Sequence, residues 1–374
     1  MKPSLDTTAI LASLISGRPL SREALGDVDV ESFWDEAQRH GVVPLAATAL
    51  MCRDDMPARL TEPASGVVAG EVAADLLHEA RLRELLEALS VAGVTALLIK
   101  GVLLAYTHYQ RPDLRPRVDV DLLIHPSQRD AAEAVLASLG FEGDIQASAG
   151  LVLHQRSYTK STHGQTFIVD LHWRLANPAV FGHVLSFDEM NATAVKVPHL
   201  SACARGLSPA HSLLVACVHR VAHHFADDRL IWLFDIHLIA SRLTAVEWSA
   251  FAELAAARRV IKVCSAGLDQ SALLFGTKVP EALWRRLPAG IAEAEVTATY
   301  LRSDRLRVFV VLEDLRALRT WNDRWRLLRD YAFPPVNYMR DVYAPSSELP
   351  LAWLYMRRML FGAWKRAGLS ARHS

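Results

Sequence analysis

Two aspartates one residue apart, Asp119 and Asp121, interrupt an apolar run that extends from Val118 to Ile124. The run predicts a buried β-strand. Because side chains at positions i and i+2 of a strand point to the same face, both carboxylates are expected to face one space. Adjacent buried negative charges destabilise a fold unless something compensates them, and Mg²⁺ prefers carboxylate oxygens as ligands. This run therefore predicts a metal site that serves phosphate chemistry.

The same two aspartates have a simpler interpretation. They can form a solvent-facing pair on an edge strand, or ion pairs with Arg115 and Arg117 just upstream. Those arginines and Arg111 would then belong to a solvated loop, whereas a nucleotide site would recruit at least one of them. The metal interpretation therefore needs support from elsewhere in the chain.

A third acid supplies that support. Asp170 lies in another apolar segment that predicts a strand, and His172 and Trp173 follow it. Three carboxylates on neighbouring strands would make the oxygen cage that two-metal phosphoryl transfer requires. His172 lies beside Trp173, and a histidine in such a position can also be a packed, hydrogen-bonded residue with no catalytic role.

A turn upstream has the features of a phosphate-binding turn. Lys100-Gly101 follows the short apolar segment Val94–Ile99, which predicts a strand, and opens a short predicted helix. Backbone N–H groups at such a turn can bind phosphate, and a glycine lets the phosphate approach closely. Lys100 either contacts that phosphate or simply ends the strand at the surface.

The periodicity of apolar residues divides the chain into three parts. Helical spacing dominates before residue 90 and again after Ser208, and strand patterns lie between. We therefore expect an α+β fold, with a small mixed-sheet core at residues 91–206. An N-terminal helical region at residues 1–90 and a larger C-terminal helical domain at residues 207–374 would flank it. The aromatic and basic helix predicted at 351–366 either packs onto that domain or lies on a membrane surface.

Composition excludes several classes of protein. The 374 residues contain 41 Lys and Arg and 41 Asp and Glu, so the net charge of zero argues against binding to a long nucleic acid. The four cysteines are far apart, which favours reduced, mostly buried thiols in a cytoplasmic protein. No segment approaches the ~20 uninterrupted apolar residues of a transmembrane helix.

Taken in order, these motifs resemble the nucleotidyltransferase superfamily typified by DNA polymerase β. More narrowly, they resemble a bacterial family of uncharacterised nucleotidyltransferases. The resemblance covers most of residues 30–240 and more weakly 333–343. It rests on Phe33-Trp34, His40–Leu45, Leu98–Gly101, Arg115–Leu123, Gly140-Phe141, Val169–Trp173, Ser208-Pro209, His219, His223 and Arg229–Asp235.

The resemblance implies roles for four residues. Asp119 and Asp121 would bind Mg²⁺, and Asp170 would be the third metal ligand and the base that deprotonates the acceptor. Gly101 would lie under the phosphates of the nucleotide. Two Mg²⁺ ions and an NTP co-substrate are implied with them.

The turn departs from the pattern of the superfamily. Many members carry Gly-Ser or Gly-Gly there, whereas this chain has Gly101-Val102. Lys100, Arg115 or Arg117 would then contact the phosphates instead. Alternatively, the departure would mean that catalysis is weakened.

A second polar cluster lies in the predicted C-terminal helices. His219 and His223 are four residues apart on one helix face, and Asp235 follows on the next helix. Such histidines can bind zinc, with Asp235 or His237 as a third ligand, but no cysteine pair or HExxH glutamate accompanies them. We favour a wall of the acceptor site that contains His219, His223 and Asp235, with His172 as a fourth candidate for acceptor contact.

The sequence thus favours an enzyme that transfers NMP from an NTP to a small-molecule or peptide acceptor, with release of pyrophosphate. One alternative is a glycosyltransferase that uses a nucleotide sugar, because those enzymes also hold a metal and a diphosphate with Asp-x-Asp. Another is a nucleotide-binding or partner-binding module on a decayed transferase scaffold. Retention of three buried acids argues against decay, since unneeded buried charge is destabilising.

Overall fold

A mixed β-sheet of seven strands forms the centre of the protein in the computed structural model. The strands are β1 (Ala96–Leu98), β2 (Val120–Ile124), β3 (Glu142–Gly143), β4 (Gln155–Thr162), β5 (Gln165–His172), β6 (Val195–Lys196) and β7 (Arg205–Gly206). Their order in the sheet is β3-β4-β5-β2-β1-β7-β6. The parallel pairs are β2 with β5 and β1 with β7, and the other neighbouring strands are antiparallel. The predicted α+β fold with a small mixed sheet is confirmed.

The structure describes most, but not all, of the chain. The described residues are 6–20, 28–53, 56–143, 154–162, 164–175, 179–182, 184–222, 229–281, 295–301, 312, 315–316, 320–333, 336, 339–340 and 349–357.

Helices precede, interrupt and follow the sheet. The α-helices are α1 (Thr7–Ile15), α2 (Val30–Arg39), α3 (Val43–Met51), α4 (Ala58–Val91), α5 (Lys100–Thr107), α6 (Arg129–Ser138), α7 (Ala179–Gly182), α8 (Phe187–Ala192), α9 (Pro209–Ala222), α10 (Leu230–Ala240), α11 (Ala245–Ala257), α12 (Ile261–Phe275) and α13 (Trp321–Ala332). Short 3₁₀ segments span Pro112–Leu114, Pro126–Gln128 and Val296–Leu301. The proline predicted at the first position of a helix, Pro209, begins α9.

The strand that carries Asp121 is shorter than its apolar run predicts. It begins at Val120 rather than at Val118, and Val118 is 78% exposed. All five residues of β2 are buried, as expected for a strand between two others with both faces covered. Asp119 therefore lies immediately before the strand and not within it.

The predicted hairpins are present. The strands β4 and β5 pair antiparallel along their full lengths, and Gly164 between them has a φ of +74° that favours glycine. A second antiparallel pair, β6 with β7, lies in the mixed region predicted at 192–205. Sheet and helices on both sides of it share one apolar core, whose buried residues run from Ile10 to Tyr300.

The C-terminal part has a small core of its own, which consists of Met339 and Leu354 with Leu351 and Tyr355 packed against them. Leu351, Leu354 and Tyr355 belong to the described stretch 351–357, whereas residues 358–366 of the predicted helix lie outside the described residues, so its packing onto the helical domain stays a prediction. The limits of the three predicted domains stay predictions.

Two further expectations can be checked on the described residues. Cys217 and Cys264 are buried, but Cys52 and Cys203 are exposed, so the expectation of mostly buried thiols is wrong for two of the four. In the part of the chain that the structure describes, no helix combines the length and the apolar character needed to cross a membrane.

Candidate active site and metal centre

A cleft of about 490 Å³ opens between the sheet and the helices α9 and α10. The turn after β1 and the segment that leads into β2 form one side of it, and the two helices form the other. The cleft gathers eight of the residues that the sequence singled out: Lys100, Gly101, Arg115, Arg117, Asp119, Asp121, His219 and Asp235. His223 lies outside the described residues.

Three buried side chains converge at one point of the sheet. One ligand atom from each of Asp121, Asp170 and His172 lies within 4.8 Å of the others. The register explains this, because Asp121 lies opposite Asp170 in the parallel pair of β2 and β5, and His172 lies two residues further on the same face of β5. The sequence predicted Asp121 and Asp170 here, but it did not predict His172 among the possible metal ligands.

Asp121 is compensated by two groups that share one of its oxygens. The Nζ of Lys100 lies 2.6 Å from Oδ1, and Nε2 of His172 lies 2.7 Å from the same atom. Burial by itself would raise the pKa of the Asp121 carboxyl, but the Lys100 ammonium and the His172 hydrogen bond outweigh it and hold that pKa well below its usual range. Asp121 is therefore ionised at neutral pH.

Lys100 reaches Asp121 because the backbone continues the ladder of β1 and β2 by one residue. The N–H of Ile99 donates to the carbonyl of Asp121 at 3.2 Å, which places the next residue beside the carboxylate. Lys100 itself has a φ of +56°, in the left-handed region. A non-glycine residue in that region costs on the order of 1–3 kcal/mol, so the surrounding contacts must hold it there.

The pKa of Asp119 is shifted in the opposite direction to that of Asp121. Burial first, and repulsion from Asp121 and Asp170 second, raise the pKa of its carboxyl to about 6. Lys100 and Arg115 oppose this shift without cancelling it. The metal-free site therefore holds more negative charge near neutral pH than its own cations neutralise, which favours an added cation.

We expect Asp119→Asn to stabilise the metal-free protein at pH 8 by about 1–3 kcal/mol, and to have little effect at pH 4. The pKa of this acid is higher in the folded than in the unfolded chain, so the folded state loses stability as the pH rises from about 4 through 6. The substitution removes that loss because it removes the charge. Urea denaturation with EDTA at both pH values measures it, and equal stability of the two proteins at pH 8 would contradict the prediction.

Asp170 is held by two residues of β4. The Oγ of Ser157 donates to Oδ1 at 2.5 Å, and Nε2 of Gln155 donates to Oδ2 at 3.1 Å. Ser157 is the residue opposite Asp170 in the antiparallel pair of β4 and β5. The sequence analysis missed both, although polar residues at i and i+2 of the strand before Asp170 signal a polar face there.

Arg115 makes a buried ion pair with Asp235. Its Nε and Nη2 donate to the carboxylate at 2.8–3.2 Å, and the hydroxyl of Tyr109 donates to Asp235 Oδ1 at 2.7 Å. Burial would lower the pKa of the Arg115 guanidinium, but Asp235 outweighs burial and raises it. The pair joins the segment before β2 to α10, and it links a predicted phosphate contact to a predicted acceptor contact.

Gly101 allows that guanidinium to pass close to the turn. A Cβ at this position would lie 3.0 Å from Nη2 of Arg115 and 3.1 Å from its Cζ, tighter than ordinary contact. The absence of a side chain at Gly101 therefore brings a cationic group against the turn where the resemblance expects phosphate.

Arg117 points away from the metal-site acids. It pairs with Asp75 of α4, donates to the carbonyl of Pro112 at 2.9 Å and lies over the ring of Tyr106. The side chains of Arg115 and Arg117 are only 11% and 5% exposed, so a solvated loop is wrong for both. Neither arginine forms the ion pair with Asp119 or Asp121 that the simpler interpretation required.

The helical side of the cleft is aromatic and basic. The ring of His219 lies edge-on to Trp232 with centroids 5.8 Å apart, and the guanidinium of Arg229 lies over Trp232 at 5.2 Å. Gln38 and Glu71 also line the cleft. Arg229 and Trp232 entered the sequence analysis only as part of a motif, because nothing local marks a helical tryptophan as a cleft residue rather than a core residue.

The donor set of the cluster fits a divalent cation. Two carboxylates suit Mg²⁺ or Mn²⁺, and an imidazole nitrogen is tolerated better by Mn²⁺ than by Mg²⁺. Nε2 of His172 carries the proton that it donates to the ionised Asp121, and Nδ1 is buried without a hydrogen-bond partner among the described residues. Asp121, Asp170 and His172 can therefore hold an ion where β2 and β5 pair, at the edge of the cleft that Asp121 lines.

Comparison with known proteins identifies the family of the chain. Residues 26–276, more than half of the chain, match the family described as "Uncharacterised nucleotidyltransferase". The match includes the whole sheet and the helices α2 to α12. No curated protein matches the chain. The chain belongs to this family of uncharacterised nucleotidyltransferases.

Proposed function

We propose that the protein is a cytoplasmic, Mg²⁺-dependent enzyme that transfers NMP from an NTP to a small-molecule or peptide acceptor. The observation that supports this most directly is the convergence of Asp121, Asp170 and His172, because Asp121 also lines the cleft together with the Lys100-Gly101 turn. Membership of a nucleotidyltransferase family supports the reaction class. The zero net charge supports an acceptor other than a long nucleic acid.

Each part of the site has a role in this proposal. Asp121 and Asp170, with Asp119 and His172 beside them, hold Mg²⁺, which supplies charge stabilisation for the phosphates when bound. The backbone at Gly101 and the cations of Lys100 and Arg115 contact the phosphates. His219 and Trp232 lie on the helical side, where the acceptor enters, and Asp235 acts through Arg115 rather than on the acceptor directly.

The transfer step follows from this arrangement. The acceptor oxygen or nitrogen attacks the α-phosphorus in line, its bond to phosphorus forms, and the bond to the bridging oxygen of the β-phosphate breaks, so that pyrophosphate leaves. Asp170 takes the proton of the acceptor, because Gln155 and Ser157 fix the orientation of its two oxygens.

We expect an NTP with Mg²⁺ to raise the apparent stability of the wild-type protein, by about 2.7 kcal/mol at a hundredfold excess over its dissociation constant. Neither NTP nor Mg²⁺ alone should have this effect. Thermal unfolding of wild type and of Asp119→Ala/Asp121→Ala, each with every NTP and nucleotide sugar, measures it. The double variant should lose the response, whereas Asp130→Ala, on the exposed side of α6, should keep it.

The outcome also separates the competing functions. A response to nucleotide sugars but not to NTPs would point to glycosyl transfer and overturn the proposal. No Mg²⁺-dependent response to any nucleotide would remove both transferase functions. A positive NTP response would be followed by incubation with small-molecule and peptide acceptors, with mass spectrometry to detect an NMP adduct and the release of pyrophosphate.

A further inference from the structure

Lys100 is the cation that directly compensates the acidic cluster. Its ammonium contacts Asp121 Oδ1 at 2.6 Å, its side chain is only 12% exposed, and its charge also opposes the rise in the pKa of the neighbouring Asp119. Three arginines line the cleft, and among the described residues each of them contacts a group outside the cluster: Arg115 binds Asp235, Arg117 binds Asp75 and Arg229 lies over the ring of Trp232.

The backbone conformation of Lys100 is one that favours glycine, so the presence of a lysine there calls for a reason. Glycine adopts a φ of +56° without steric cost, whereas lysine does not. A lysine that stays in this conformation, with its amine on a buried carboxylate, fits a functional requirement for the ammonium group.

The contacts of Asp121 also limit the number of metal ions. A second ion of the usual two-metal arrangement lies about 4 Å from the first and shares a carboxylate with it. In this site Asp119 and Asp121 would have to hold that second ion. Among the described residues, the group whose ligand atoms lie within 4.8 Å of one another contains Asp121, Asp170 and His172 but not Asp119, and the ammonium of Lys100 already contacts Oδ1 of Asp121.

We propose that Lys100 takes the place of one of the two metal ions that the sequence led us to expect. The site then binds a single divalent ion at Asp121, Asp170 and His172, and the ammonium of Lys100 supplies the second positive charge at the nucleotide phosphates. This inference rests on the proposed function, because it concerns the same nucleotide site.

Native mass spectrometry of the intact chain tests the inference, because it counts the ions bound to each folded molecule. The probes are Mn²⁺ and a non-hydrolysable α,β-methylene analogue of the NTP that gives the strongest stabilisation. We expect one Mn²⁺ for each bound analogue in wild type and two in Lys100→Met. Lys100→Gly, which also relieves the backbone, should bind two as well.

The control variant is Lys160→Met, which makes the same chemical change on β4, where the ammonium lies near Phe141 and not near the acids. It should bind one Mn²⁺, like wild type. Two Mn²⁺ in wild type, or one in both Lys100 variants, would overturn the inference while leaving the proposed function intact. A wild-type chain that binds no analogue with Mn²⁺ would overturn the proposed function and this inference together.

Discussion

Asp235→Ala is expected to lower the free energy of unfolding by about 3–5 kcal/mol. The substitution leaves the guanidinium of Arg115 buried without its carboxylate and removes the acceptor of the Tyr109 hydroxyl. Such a loss is large against the roughly 5–15 kcal/mol that keeps a typical protein folded. Denaturation in urea, followed by far-UV circular dichroism, measures it.

Two further variants test the cause of that loss. Asp130→Ala removes an exposed carboxylate and should change stability by less than about 0.5 kcal/mol. Arg115→Met/Asp235→Leu removes both charges together and should be more stable than Asp235→Ala, because no buried charge is left unpaired. If the double variant were as unstable as the single one, the ion pair would not be the reason.

Asp170→Asn is expected to reduce the rate of nucleotide transfer by about 10²–10⁴-fold, the contribution that a positioned general base makes to a reaction. Asparagine keeps the shape and can still accept from Ser157, so the fold should persist. The charge that helps to hold the metal and accepts the proton of the acceptor is lost. Single-turnover assays with the acceptor found by mass spectrometry measure the rate.

The same variant should also lose the Mg²⁺-dependent stabilisation by NTP, a readout that does not depend on knowing the acceptor. Asp130→Asn provides the matched control and should behave as wild type in both assays. A full rate with Asp170→Asn would show that Asp170 is only a structural partner of Gln155 and Ser157.

Much of the site can be predicted from local pattern. The apolar segments around Asp121 and Asp170 have strand periodicity, and a buried acid in such a segment requires compensation wherever it lies. The turn at Lys100-Gly101 follows from its place between a strand and a helix. These inferences hold because they need only a period of two along a strand and the cost of burying charge.

The role of Asp119 was harder to predict, because the alternation rule applies only inside a strand. The strand starts at Val120, and hydrogen bonding to β5 decides that boundary. His172 joined the cluster for a similar reason. Its position two residues after Asp170 puts it on the same face, but only the register with β2 brings it to Asp121.

The sequence by itself determined the α+β class, the family and two acids of the candidate metal site, Asp121 and Asp170, because periodicity and buried charge are local properties of the chain. The tertiary structure alone decided which charges meet. Arg115 and Asp235 are 120 positions apart, and Arg117 and Asp75 are 42 apart, so no spacing rule connects them. Packing of α4 against β1 and of α10 against α9 and α12 directs these arginines to other acids, and it leaves Lys100 as the cation in contact with Asp121.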